Sequence, residues 1–205
     1  MSGLFLKGLA FGFVLAGTVG PMWLLCFRRT LSAGALAGFV SGMGIAVADA
    51  LYGAVAAFGL TTVSSFLLAQ QFWLALGGAA FLLWLGAKTL LAKPAPLDQA
   101  AAPVTPSSLA AGFLSTLGLT LANPPTILAF VAIFAGIGLG VNPSPAGAAL
   151  VVLGVFLGSA LWWLILATAA GALHGRLGPR LGRTINAVSG LTILGFAFWQ
   201  LTRLV

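Results

Sequence analysis

The chain reads as an all-α integral membrane protein: six transmembrane helices forming two inverted three-helix repeats, with the first and fourth helices broken. Three observations lead there. Charged residues are 5% and AVILMFWYC residues 60% of the 205 positions, and apolar runs recur along the whole length. Basic residues gather in alternate connections between those runs. A Gly/Pro interruption recurs at corresponding places in the two halves.

A spanning helix needs roughly 20 mostly apolar residues, and six runs meet that length, so they are expected as helices. A transmembrane barrel would show segments of about ten residues alternating with period two, and none is visible. The first run, about Leu4–Phe27, is too long for a secretory signal, holds Lys7 within it and is followed by Arg28-Arg29, so it is kept as a span. It is interrupted by Gly17-Thr-Val-Gly20-Pro21. The second run, about Ala33–Leu60, carries Gly34, Gly38 and Gly42, continued by Ala46, Ala50 and Ala54. Spacing of four places these small residues along one face, where another helix can approach closely. The third run is about Phe66–Leu91.

Residues 93–107 are rich in Pro and Ala and too polar to span, so they read as a cytoplasmic linker between a first repeat, 1–92, and a second, 108–205, within one membrane domain. The fourth run, about Leu109–Leu139, is interrupted by Asn123-Pro124-Pro125. The fifth, about Ala146–Leu173, has its own small-residue positions, Gly147, Gly154 and Gly158; the sixth is about Ile185–Leu204. Gly8 through Pro21 has the same spacing as Gly112 through Pro125. Because each half holds three spans, an odd number, the second half must cross the membrane upside down relative to the first. Inverted repeats are a transporter signature, with the substrate site at their interface.

A net charge of +7 would suggest nucleic acid in a soluble chain; here the placement of the charges carries the information. The connections after spans one, three and five hold Arg28, Arg29, Lys88, Lys93, Arg176, Arg180 and Arg183, whereas those after spans two and four hold no Lys or Arg. The positive-inside bias therefore places the odd connections in the cytoplasm and both termini, with only Lys7 and Arg203, in the periplasm. One cysteine, Cys26, allows no intramolecular disulfide and no CxxC redox pair. One His, one Cys and two acids spread over the chain do not make the usual metal ligand set, and no cofactor is implied.

Asp49 is the sole acid inside a hydrophobic run, within Gly42-Met-Gly-Ile-Ala-Val-Ala-Asp49. A carboxylate at bilayer depth costs at least about 2.5 kcal/mol and tends to persist where it faces a polar cavity, a counter-charge or an exchangeable proton. Its helical angle lies close to the small-residue stripe, which aims it into the bundle. The alternative is a protonated, hydrogen-bonded packing residue. Proline removes a backbone donor and frees a carbonyl one turn back, and paired breaks in corresponding spans point to a binding site where exposed helix ends meet ionic groups. One of Trp162 and Trp163 is a candidate for cation–π contact with a substrate ammonium, with packing as the other reading.

Taken in order, Gly20-Pro21, then Cys26-Phe-Arg-Arg-Thr-Leu31, Gly38-Phe-Val-Ser-Gly-Met-Gly-Ile-Ala-Val-Ala-Asp49 and Asn123-Pro124-Pro-Thr-Ile-Leu-Ala-Phe130 resemble the LysE-type translocator family (LysE/RhtB) of bacterial amino-acid exporters. The resemblance covers essentially the whole chain. It implies a six-helix inverted-repeat exporter of the inner membrane that moves amino acids outward on the membrane potential or a proton gradient. By it, the working positions are Gly20-Pro21, Asp49 and Asn123-Pro124. Many members carry a basic residue after the Asn-Pro pair, and here that position is Pro125, a change that bears on substrate and coupling.

The expected mechanism binds an amino acid between the halves, its carboxylate at the broken helices, its ammonium at Asp49, and a proton competing for Asp49 to give antiport. Two other classes predict different behaviour. A structural or assembly protein, with the glycine stripe as a homodimer interface, predicts no solute dependence; an exporter of a non-amino-acid solute predicts transport of something else. An intramembrane enzyme lacks a nucleophile–base pair and a second intramembrane carboxylate, since Asp98 lies in the linker.

Overall fold

The computed structural model describes residues 2–58, 66, 69–92, 104–123, 126, 129–130, 144–173 and 179–203, the side chains of 71 and 179–181 excepted. Seven helices are formed among them: α1 (Ser2–Ala16), α2 (Pro21–Ala33), α3 (Ala35–Ala57), α4 (Gln71–Leu90), α5 (Pro106–Leu121), α6 (Pro145–Gly171) and α7 (Pro179–Thr202). The chain is an all-α, multi-pass membrane protein. Among the described residues, α3, α4, α6 and α7 are long and apolar enough to cross a bilayer, and α1 and α2, together of comparable length, are bent by 76° at their junction. Where the span Leu109–Leu139 is expected, α5 runs over Pro106–Leu121, 16 residues, about 24 Å at 1.5 Å per residue and short of a ~30 Å hydrocarbon core.

Local chemistry sets these boundaries. Gly20 is extended at the N-cap of α2, and Pro21 occupies the first helical position, where its missing N–H costs nothing. Thr105 and Ser108 form a reciprocal capping box ahead of α5, again with proline first. Ser144 caps α6 by accepting from the Gly147 N–H at 3.2 Å. Gly34 joins α2 to α3 with φ 87 and ψ 171, the left-handed extended region that side chains avoid. It therefore lies at a junction between helices, and the four-residue stripe begins in helix at Gly38. A Gly34→Ala substitution is expected to cost about 1–3 kcal/mol of stability through that backbone strain, measured as a lowered thermal midpoint in detergent.

The helices pack through glycines. A side chain at Gly8 or Gly12 of α1 would run into the backbone of Val151 or Val155 of α6, and one at Gly154 or Gly158 of α6 into the backbone of Phe5 or Leu9 of α1. In hydrocarbon, where burial of apolar area drives nothing, such close backbone approach supplies the van der Waals contact that holds helices together. Residue numbers rise together along this interface, so α1 and α6 run parallel. The same holds between α3 and α5: Thr116 Oγ1 donates to the Ser41 carbonyl at 2.6 Å and Tyr52 Oη to the Leu121 carbonyl at 2.6 Å. By contrast α3 and α6 are antiparallel, with Gly42 against the Trp163 side chain and Gly53 near Val155. So are α4 and α7, where Gly86 meets Leu194 and Gln200 Nε2 donates to the Ala75 carbonyl at 2.8 Å.

Helix α2 lies between these pairs. Leu25 packs with Leu82, Leu119 and Ile193 on one side, and Cys26 packs with Ala46 and Trp163 on the other. The structure corrects the expectation that Arg28 and Arg29 lie in a connection after the first span: both are in α2, because the chain breaks at Gly17–Gly20 and helix resumes at Pro21. Arg28 donates from Nε to Asn186 Oδ1 and from Nη1 to Thr89 Oγ1, both at 2.9 Å. Arg29 donates from Nη1 to Ser41 Oγ at 3.2 Å and the Gly112 carbonyl at 2.9 Å, and from Nη2 to Ser115 Oγ at 2.8 Å. Lys88, also expected in a connection, sits in the last turn of α4 with its ammonium 4.9 Å from the centre of the Trp84 ring.

Candidate functional site

The break between α1 and α2 opens onto a pocket of about 200 Å³. Thr18, Val19, Gly20 and Pro21 form one wall, Ile45 and Asp49 of α3 another, Thr120 and Asn123 at the end of α5 a third, with Thr126, Trp163 and Phe196 completing it. The pocket thus brings together Gly20, Pro21, Asp49 and Asn123, residues separated by up to about a hundred positions in sequence. Pro124 and Pro125 lie outside the described residues. Lys93 and Arg176, expected in cytoplasmic connections, do too.

Asp49 is 2% exposed, at the middle of α3. Its Oδ2 accepts a hydrogen bond from Ser159 Oγ of α6 at 2.8 Å, a contact made possible by small residues on both helices near their crossing. That bond orients the carboxylate on the pocket wall. Among the described residues Asp49 is the one acid, so whatever positive group enters the pocket finds its counter-charge here.

The opposite end of the pocket is built from helix termini. In α2 the first backbone bond is from the Leu24 N–H to the Gly20 carbonyl at 3.0 Å. The preceding amides, Met22 and Trp23, belong to the first turn that has no helical acceptor, and both residues line the pocket. Such an N-terminus carries partial positive charge suited to an anion. At the second break α5 ends at Leu121, and Asn123 leaves the helix with its Nδ2 donating to Thr126 Oγ1 at 2.9 Å. Trp163, 2% exposed, presents the pocket with an indole whose Nε1 has no hydrogen-bond partner among the described residues; the Trp23 Nε1 is likewise unpartnered.

Ser159, Thr120 and Thr126 were not singled out from the sequence. A lone hydroxyl in an apolar helix gives no periodic signal, and the only hint at Ser159 is its place beside Gly158. Gly38 and Gly42 meet Thr30 and Trp163 of the same chain, and Gly154 and Gly158 meet α1, so these positions are occupied by intrachain contacts.

The pocket thus sets one carboxylate, a helix N-terminus and amide and hydroxyl groups around a small volume among the helices. The chain belongs to the LysE type translocator family, whose model matches residues 13–203. It is 28% identical over 203 residues to "Putative amino acid efflux protein YcgF" of Bacillus subtilis (strain 168), covering 96% of this chain and 94% of that protein. It is 28% identical over 188 residues to "Leucine efflux protein" of Klebsiella pneumoniae, covering 87% and 85% of the two chains. "Uncharacterized membrane protein YahN" of Escherichia coli (strain K12) is 25% identical over 189 residues, covering 90% and 84%. No solved structure matches the chain.

Proposed function

We propose that this protein exports amino acids, or closely related small zwitterions, across a bacterial inner membrane by proton antiport through Asp49. The observation that carries the reading is the pocket that joins a buried carboxylate to both helix breaks. Its two ends differ in sign: Asp49 suits an ammonium, and the α2 N-terminus with Asn123 suits a carboxylate. A pocket of about 200 Å³ accommodates a small solute such as an amino acid. The names of two relatives agree with it.

Two inverted repeats of three spans are supported by the pairing of helices. Exchanging the halves turns the parallel pair α1 and α6 into the parallel pair α5 and α3, and returns the antiparallel pairs α3/α6 and α4/α7 to themselves. With both termini periplasmic, α2 then runs from the pocket toward the cytoplasm. Protonation of Asp49 releases the ammonium on the outer side, and the proton leaves inward when the next solute binds.

Counterflow in proteoliposomes tests this directly. Labelled leucine, homoserine, threonine, lysine and arginine are each offered with and without a proton gradient. Accumulation of at least one, responsive to the gradient, is the expected result; accumulation that ignores the gradient would remove antiport, and none with any amino acid from folded protein would remove the amino-acid assignment.

A further inference from the structure

Two half-buried guanidinium groups on α2 have neutral partners alone among the described residues. Arg28 and Arg29 follow Pro21 by seven and eight positions on α2, roughly 10–12 Å along the helix from the pocket at 1.5 Å per residue. Among the described residues, every acceptor they use is a hydroxyl, an amide oxygen or a backbone carbonyl: Asn186 and Thr89 for Arg28, Ser41, Gly112 and Ser115 for Arg29. The chain has two acids; Asp49 is committed to the pocket and Asp98 lies outside the described residues. A guanidinium pairs with a carboxylate through two parallel bonds, each roughly twice as strong as a neutral one. A carboxylate arriving at this point therefore displaces the neutral acceptors.

The same bonds tie α2 to its neighbours. Arg29 ties α2 to α3 in the first half and α5 in the second, while Arg28 ties α2 to α4 and α7. One turn before Arg29, Cys26 is fully buried against Ile45 and Trp163, which are also walls of the pocket. Cys26 thus stands between the two arginines and the pocket along α2.

We propose that Arg28 and Arg29 form a second solute site, specific for a carboxylate, and that a carboxylate bound there frees α2 from α5 and opens the way past Cys26 to the pocket. The proposal rests on the exporter reading, in whose orientation this is the cytoplasmic loading side. It adds to that reading a first recognition step: the carboxylate is met before the ammonium reaches Asp49.

Cys26 is the single cysteine of the chain, so its rate of modification by N-ethylmaleimide in the purified full-length protein reports the opening. The probes are isocaproate, a carboxylate without an amine, and isopentylamine, an amine without a carboxylate, at constant ionic strength and pH. Isocaproate is expected to raise the rate roughly tenfold, as stronger charge-assisted bonds replace neutral ones, and isopentylamine to leave it unchanged. Arg29→Gln is expected to label fast with no carboxylate present and to ignore isocaproate. Arg29→Lys, which keeps the charge and lacks the fork, is expected to melt like the parent and lose most of the response, so the test survives if the glutamine variant does not fold. An unchanged rate with isocaproate, equal acceleration by isopentylamine, or a full response in Arg29→Lys would overturn the proposal. No transport is measured, so a failure of amino-acid counterflow sinks the exporter reading and leaves this outcome standing.

Discussion

Asp49→Asn is expected to lower counterflow about a hundredfold at subsaturating solute while leaving the protein folded. The substitution preserves shape and still offers an oxygen to Ser159, whose hydroxyl now donates to Asp49 at 2.8 Å. It removes the charge and the exchangeable proton together. Removing one member of a buried, hydrogen-bonded charge pair costs roughly 2–5 kcal/mol, and each 1.4 kcal/mol is a factor of ten, so a hundredfold loss lies within that range. Stability is expected to hold or rise slightly, because an amide at this 2% exposed position needs less solvation than a carboxylate. The two readouts separate the roles. A folded, monodisperse protein with little counterflow assigns the carboxylate to transport; wild-type export with unchanged pH dependence would assign it to packing and end the antiport scheme.

The parts of this site that can be read from sequence are those that are costly in lipid. Asp49 stands out because an acid is expensive at that depth, and Gly20-Pro21 and Asn123 because they interrupt helices that composition otherwise favours. Their meeting on one pocket depends on α2 turning through 76° and on α5 ending where it does, which is tertiary information. Ser159 is invisible for a related reason: it is 110 positions from Asp49, and a serine in an apolar helix has ordinary intrahelical acceptors. Arg28 and Arg29 mislead in the other direction. Cations mark the membrane edge when they reach water, whereas these two are satisfied by hydroxyls and carbonyls of four other helices and so remain in the bundle. Gly34 matches the stripe by spacing, yet its backbone angle gives it a different task.

The largest effect on stability is expected at the α1–α6 interface, where Gly12→Leu should leave the protein unable to hold its native packing. A side chain there points at the carbonyl and Cα of Val155, which are backbone atoms with no rotamer to change. Accommodating it requires the two helix axes to separate, and that also breaks the reciprocal contacts of Gly154 and Gly158 with Phe5 and Leu9 two turns around the same interface. Overpacking in a close-packed core costs about 1–3 kcal/mol where side chains can shift; a backbone wall that cannot shift places this substitution at or above the upper end. In lipid nothing compensates, since separated apolar helices face an equally apolar solvent. Tryptophan-fluorescence melting and gel filtration in mild detergent provide the check. Gly3, where a side chain would meet open space, is the internal control: Gly3→Leu is expected to melt like the parent. If Gly12→Leu does so too, α1 is held by its junction with α2 and its contacts to α3, and the glycine interface is not what fixes the first half against the second.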